Sequence, residues 1–249
     1  MKAVLLSDKK TGSTFVQYAM DSHPDLECYD EMFLIKHGNR KRRGQTLFKT
    51  MKKEKKMSVD QYLKWLYSQS SNVCFRLMYP HDMHYNVLPQ IMKMNIPIIH
   101  LVRENHFKKV IAKYTGGKIM NEKIDIKPID LIYSIKESIN RVKKYESKLK
   151  NYPHVFKIKY EDMIDSVDGE INMKKVKKLG GSNIKSNVIS YMNKGYSKMI
   201  CDIFGVDNRD LYSNVTKKNK ENILDCLIYK KKIKRALRSH KMSHYLENK

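Results

Sequence analysis

The strongest constraint on how this chain can fold is an alternation. Short, β-branched apolar runs give way repeatedly to helical patterns, with glycine- or proline-bearing loops between them. Strands are expected at residues 2–7, 26–29, 73–78, 96–102 and 155–160. Residues 58–69 read as a helix that Ser58 caps, with Tyr62, Trp65 and Leu66 on one face. Residues 128–150 read as a long helix opened by Pro128, with Ile132, Ile135, Ile139 and Val142 as its buried stripe. This pattern predicts an α/β fold of three layers, a parallel central sheet with helices on both faces, in one domain spanning 1–249. A chain of 249 residues with 41% hydrophobic content can bury a full core as one unit.

Charge narrows the partners. The chain carries 50 Lys and Arg against 26 Asp and Glu, a formal +24. Such a surface attracts polyanions through a long-range, salt-sensitive field. Lysine dominates the excess, which is spread over 36–56, 143–150, 174–178 and 217–234. Lysine-heavy proteins also arise from A/T-rich coding sequence, a plain cause for much of the excess. The four cysteines, Cys28, Cys74, Cys201 and Cys226, show neither metal-ligand spacing nor a disulfide framework, which points to a reducing compartment. Val4, Leu5 and Leu6 form too short an apolar run for a signal peptide. No stretch approaches the ~20 apolar residues of a membrane span. His81 and His84 stand three apart without a nearby third ligand, so a loop or capping role is favoured over metal.

The first strand runs into Lys9, Lys10, Thr11, Gly12, Ser13, Thr14 and Phe15, and then into a helix with Val16, Ala19 and Met20. Strand, tight basic loop and helix start make an anion cradle. A helix N-terminus presents unpaired N–H groups and the positive end of its dipole. Gly12 permits close backbone approach. Lys10 adds a cation, and Ser13 and Thr14 add hydroxyls. The nucleotide-triphosphatase loop places its lysine after the last glycine, whereas Lys10 precedes Gly12.

The order Lys-Thr-Gly-Ser-Thr resembles the phosphosulfate loop of sulfotransferases. After the helix come His23, Pro24 and Asp25, then Glu27, Asp30 and Glu31. This turn and acidic pair resemble those of tyrosylprotein and related Golgi-type sulfotransferases. There a glutamate about twenty residues past the loop's basic residue is the proposed general base, and Glu31 has that spacing from Lys10. On the residues alone, Glu27, Asp30 and Glu31 read as ordinary surface carboxylates in a turn; the loop before them is what favours the functional reading.

A third resemblance lies at Ile96–Val102 followed by Arg103, Glu104 and Asn105. In the family the arginine ending this strand grips the 3′-phosphate of 3′-phosphoadenosine-5′-phosphosulfate (PAPS), a role suited to a forked guanidinium. The family's serine eight or nine residues on is missing: Ile111 and Ala112 stand there, with Lys108, Lys109 or Thr115 as substitutes. Val155–Met163 resembles the family's strand with Tyr-Glu-Asp, which implies that Tyr160 lies near the nucleotide; sheet-edge packing is the plain alternative. Met199–Val206 resembles the end of a late family helix. Residues 36–56 read as a lysine-rich excursion over the sheet edge, and 115–127 and 166–195 as lid-like connections.

The resemblance implies a PAPS-dependent sulfotransferase that moves a sulfuryl group to an acceptor hydroxyl and releases PAP (3′,5′-phosphoadenosine), with no metal. Lys10 and Glu31 would be catalytic. Lys9, Lys10, Thr11, Gly12, Ser13, Thr14, Phe15, Arg103 and Tyr160 would bind the nucleotide. The acceptor would be a glycan, peptide tyrosine or small molecule, with acidic glycans and peptides favoured by the charge. A soluble, cytoplasmic protein is expected. Two other classes stay open: a polyanion- or nucleic-acid-binding protein on an inactive scaffold of this kind, and a P-loop small-molecule kinase.

Overall fold

A computed structural model describes residues 1–35, 41–42, 45–115, 124–168, 189–213 and 227–246. Cys226 and most of the expected lid-like connections 115–127 and 166–195 lie outside the described residues. The chain divides into two compact units. The first comprises Met1–Asp8, Gly12–Val102 and Tyr152–Lys217; the second comprises Lys9–Thr11, Arg103–Asn151 and Lys218–Lys249.

The first unit is built on a five-stranded parallel sheet. Its strands are β1 (Lys2–Ser7), β2 (Glu27–Glu31), β5 (Val73–Met78), β6 (Ile98–Val102) and β7 (Val155–Lys159), in the order β2-β5-β1-β6-β7. All five expected strands are present, with ends shifted by a few residues. β1, β5 and β6 are the inner strands and are almost wholly buried, which explains why they read as unbroken apolar runs.

Alternate side chains serve two faces. On one, Ala3, Leu5, Cys74, Ile99 and Leu101 pack with Phe15, Val16, Ala19 and Met20 of α1 (Ser13–Asp21) and with Ile200 and Phe204 of a late helix, Lys194–Phe204. On the other, Phe75 meets Tyr67 at 5.8 Å and Phe33 at 5.7 Å between ring centroids. Tyr67 ends α3 (Val59–Tyr67), and its hydroxyl donates to the Ala3 carbonyl at 3.0 Å. Burial above all pushes that phenol well above its usual pKa, so it stays a neutral donor. Helices on both faces and the parallel sheet are as the alternation predicts.

Ser58 caps α3 in a full capping box with Gln61. Trp65, expected on the buried face, is only half-buried; Tyr62, Leu63, Leu66 and Tyr67 fill that face instead. Within the lysine-rich stretch, α2 (Phe48–Lys55) buries Phe48 and Met51, and Lys41–Arg42 (β3) pairs with Gln45–Thr46 (β4). Two short helices, α4 (Tyr79–Tyr85) and α5 (Leu88–Lys93), link β5 to β6. Ile164–Asp168 (β8), Ile189–Met192 (β9) and Tyr212–Ser213 (β10) form a separate antiparallel sheet. Cys28, Cys74 and Cys201 are buried and form no disulfide with one another.

The second unit is helical. α6 (His106–Tyr114) is capped by Asn105, whose side chain accepts from the Lys108 N–H at 2.9 Å. α7 (Pro128–Leu149) lays Leu131, Ile132 and Ile135 against Phe107 and Ile111 of α6 and Ile233 and Leu237 of a basic helix, Lys230–Ser239. Buried His106 is hydrogen-bonded to Ser138 at 2.9 Å. Among the described residues, no helix is long and apolar enough to cross a membrane.

Candidate functional site

The connection after β1 leads by way of α1 to β2 on one side of the sheet, while β6 is followed by β7 on the other. In open parallel sheets, ligands settle outside the strand C-termini where successive connections diverge. The basic loop follows β1 and Arg103 follows β6, so sequence order alone puts both at such ends.

In the first unit, α1 begins at Ser13 with Gly12 as its N-cap, at φ 86°. No side chain caps this helix. The Phe15 N–H donates to the Gly12 carbonyl at 2.9 Å and closes the first turn. The Tyr160 ring lies directly over Gly12: a Cβ there would stand 2.7 Å from Tyr160 Cδ2 and 2.8 Å from Met163 Cε. Tyr160 is fixed by its own backbone N–H, which donates to the Val102 carbonyl at 2.8 Å. Both the steric fit and the left-handed backbone therefore demand glycine at 12. The Phe15 side chain is core, packed beneath α1.

Arg76 connects this helix start to the acidic end of β2. It is 6% exposed, in a strand otherwise made of Val73, Cys74, Phe75, Leu77 and Met78. Its Nη1 donates to Thr14 Oγ1 at 2.8 Å and to Ser13 Oγ at 3.3 Å. Its Nη2 pairs with Asp30 Oδ1 and stands 3.4 Å from Glu31 Oε1. Its Nε is buried without a hydrogen-bond partner. The second carboxylate oxygen of Glu31 lies 3.7 Å from Nε2 of His81, a buried residue of α4. His84 turns elsewhere and is exposed, its ring edge-on to Tyr85 at 4.4 Å. Glu27 accepts a hydrogen bond from the Tyr29 hydroxyl at 2.7 Å and takes no part in the Arg76 network.

In the second unit, Lys10 has φ 61°, a left-handed backbone that a lysine rarely adopts. Arg103 Nη1 donates to the Lys10 carbonyl at 3.1 Å. Lys9 and Lys10 are exposed, and Thr11 is buried. Ile111, at one of the positions where a serine is expected by resemblance, is core. Lys109, one of the suggested substitutes, is buried, while the Thr115 hydroxyl donates to the Ala112 carbonyl at 3.4 Å.

Of the residues singled out by sequence, Ser13, Thr14 and Glu31 meet Arg76 in the first unit, and Tyr160 covers Gly12 there. The sequence reading singled out neither Arg76 nor a role for Asp30. A signal for Arg76 existed: a lone arginine within a strand buried on both faces must have partners waiting for it.

No family model matches the chain, and no curated protein matches it. Among solved structures it is similar to a sulfotransferase from Alicyclobacillus acidocaldarius, at 10% identity and a TM-score of 0.46 over 99% of each chain. It is also similar to the sulfotransferase domain of the Synechococcus PCC 7002 olefin synthase, at 14% identity and a TM-score of 0.39, over 90% of this chain and 82% of that one. Both similarities are distant, and the chemistry of the site rests on its own residues.

Proposed function

We propose that this protein is a PAPS-dependent sulfotransferase acting on an acceptor hydroxyl. The observation that carries this reading is the uncapped start of α1, where the Ser13 and Thr14 hydroxyls meet buried Arg76 and Arg76 reaches Glu31. A helix start suited to an anion and a candidate base carboxylate thus meet at one guanidinium, side by side as transfer from a bound anion to a hydroxyl would use them.

The residues fit the nucleotide's chemistry. Left-handed backbone at Lys10 and Gly12 belongs to loops that turn their N–H groups toward an anion. Gly12, Ser13 and Thr14 would hold the 5′-phosphate through backbone N–H groups, and Lys9 and Thr11 are the loop's other proposed nucleotide ligands. Tyr160, over Gly12, would flank the nucleotide. Arg103 would take the 3′-phosphate. PAPS supplies the sulfuryl group and a phosphate leaving group. Lys10 would neutralise the charge that grows on the leaving oxygen. Glu31 would take the acceptor's proton as its oxygen bonds to sulfur and the sulfur–phosphate oxygen bond breaks. As in phosphoryl transfer, most of the rate would come from positioning and charge stabilisation.

The first test is a thermal-shift titration. A ligand that binds only the native state raises the melting temperature by mass action. PAP is expected to stabilise the protein. No shift with PAP, beside a clear shift with ATP and magnesium, would overturn the reading in favour of a kinase.

A second reading, polyanion binding, draws support from the helix Lys230–Ser239. Lys231, Lys232, Arg235 and Arg238 are exposed on it, while Ile233 and Leu237 are its buried anchors. Polyanion affinity that falls steeply with salt and ignores PAP would favour it.

A further inference from the structure

The end of β2 is irregular in one informative way. Glu27, Cys28 and Tyr29 pair in register with Val73, Cys74 and Phe75 of β5. The next pair is Glu31 with Arg76, so Asp30 is the extra residue of a β-bulge. In a regular strand, neighbouring side chains point to opposite faces of the sheet. Here both carboxylates reach Arg76, because the bulge turns the strand between them.

The two carboxylates are not equivalent. Asp30 makes the close ion pair with Nη2, while Glu31 stands farther off at 3.4 Å, with its other oxygen toward His81. A buried guanidinium requires a counter-charge, and Asp30 supplies it. Nη1 is meanwhile committed to Thr14 and Ser13. Glu31, half-buried, is thereby spared the main ion pair.

We infer that Asp30 is a positioning residue: its bulge and its ion pair with Arg76 aim Glu31 and leave it available as the base. This rests on Glu31 as the base, and it gives Asp30 a part in the reaction without contact with the reacting atoms. Without the Asp30 charge, Arg76 would close on Glu31 and hold the carboxylate away from an acceptor.

Two measurements test it. In the active enzyme, Asp30→Asn should lower kcat about tenfold or more, as expected when a general base is misplaced. Acceptor KM and PAP affinity should move by less than about threefold, and Asp30→Glu should recover part of kcat. Unchanged kcat in folded Asp30→Asn overturns the inference, because the pair is then merely structural. So does lost turnover in Asp30→Asn with activity kept in Glu31→Gln, because Asp30 is then the base itself. The second measurement needs no activity: the guanidinium ¹⁵N resonances of Arg76. Glu31→Gln should leave their restrained rotation intact, whereas Asp30→Asn should release or re-pair them. Loss of the signature in Glu31→Gln names Glu31 as the anchor and overturns the inference, even if Asp30→Asn does not fold. Failure of PAP to stabilise wild-type protein, with the Arg76 signature as expected, would overturn the sulfotransferase reading and leave the Asp30–Arg76 anchor standing.

Discussion

The ring of Tyr160 fills the space in which residue 12 would carry its Cβ, 2.7 Å from Cδ2. The contact ties the residue after β7 to the turn after β1, so the start of α1 is set by a side chain about 150 residues away in sequence. Gly12→Ala would meet two penalties at once. Met163 Cε can swing aside, but the aromatic ring and the φ of 86° cannot be relieved together. The variant should lose PAP stabilisation and melt lower than wild type. Adding Tyr160→Ala should recover only part of either loss, because the left-handed backbone remains. Differential scanning fluorimetry with and without PAP reads both effects.

Arg103 braces the loop through the Lys10 carbonyl, whatever else it binds. Arg103→Ala should therefore weaken two ligands unequally. PAP should lose most, through the 3′-phosphate. Adenosine 5′-phosphosulfate, which lacks that phosphate, should still lose about fivefold, the worth of roughly one hydrogen bond. Calorimetric titration of both ligands decides it. An unchanged affinity for adenosine 5′-phosphosulfate would show that the Lys10 contact is idle.

Lys10 combines a charge with a left-handed backbone, and its substitutions must separate the two. Lys10→Ala removes the charge and adds backbone strain, because alanine tolerates φ 61° poorly. Lys10→Asn removes the charge at a residue type that accepts this conformation. Both should lower turnover and PAP affinity, with Asn the milder in melting temperature. Equal turnover in wild type and Lys10→Asn would exclude a role for the Lys10 charge.

Glu31→Gln keeps shape and polarity but removes the carboxylate proposed as the base. Turnover should fall by about a hundredfold or more, while PAP binding stays within about 1 kcal/mol of wild type. Glu27→Gln is the control, because Glu27 accepts from the Tyr29 hydroxyl and lies outside the Arg76 network. A screen of glycans, tyrosine peptides and phenols with labelled PAPS supplies the acceptor for this assay.

Two stability changes report on the scaffold alone. Ser58→Ala removes the capping box of α3 and should cost about 1 kcal/mol. Tyr67→Phe removes the donor to the Ala3 carbonyl in the middle of the sheet and should cost about the same. Urea unfolding gives both values, and neither change should alter PAP binding once the protein is folded.

The sheet was legible because its inner strands are buried on both faces, and burial on both faces writes a continuous apolar run into the chain. The long helix at 128–149 was legible because its stripe has the helical period. α4 and α5 were not, because at 7 and 6 residues each spans less than two turns and shows no period. The loop from Lys10 to Thr14 was legible because backbone chemistry fixes the order of glycine, hydroxyl and helix start within a few residues.

By itself, then, the order of residues determined the alternation of strand and helix, the basic, hydroxyl-bearing turn that opens α1, and glycine at its cap. Only the tertiary structure decided that Arg76 sits between Thr14 and the carboxylates, that Asp30 rather than Glu31 holds it, and that Tyr160 closes over Gly12. The reason is physical. Periodicity and turn chemistry act over a few residues, whereas a buried guanidinium finds its counter-charge through strand order and register, and one extra residue in β2 settles which carboxylate meets it.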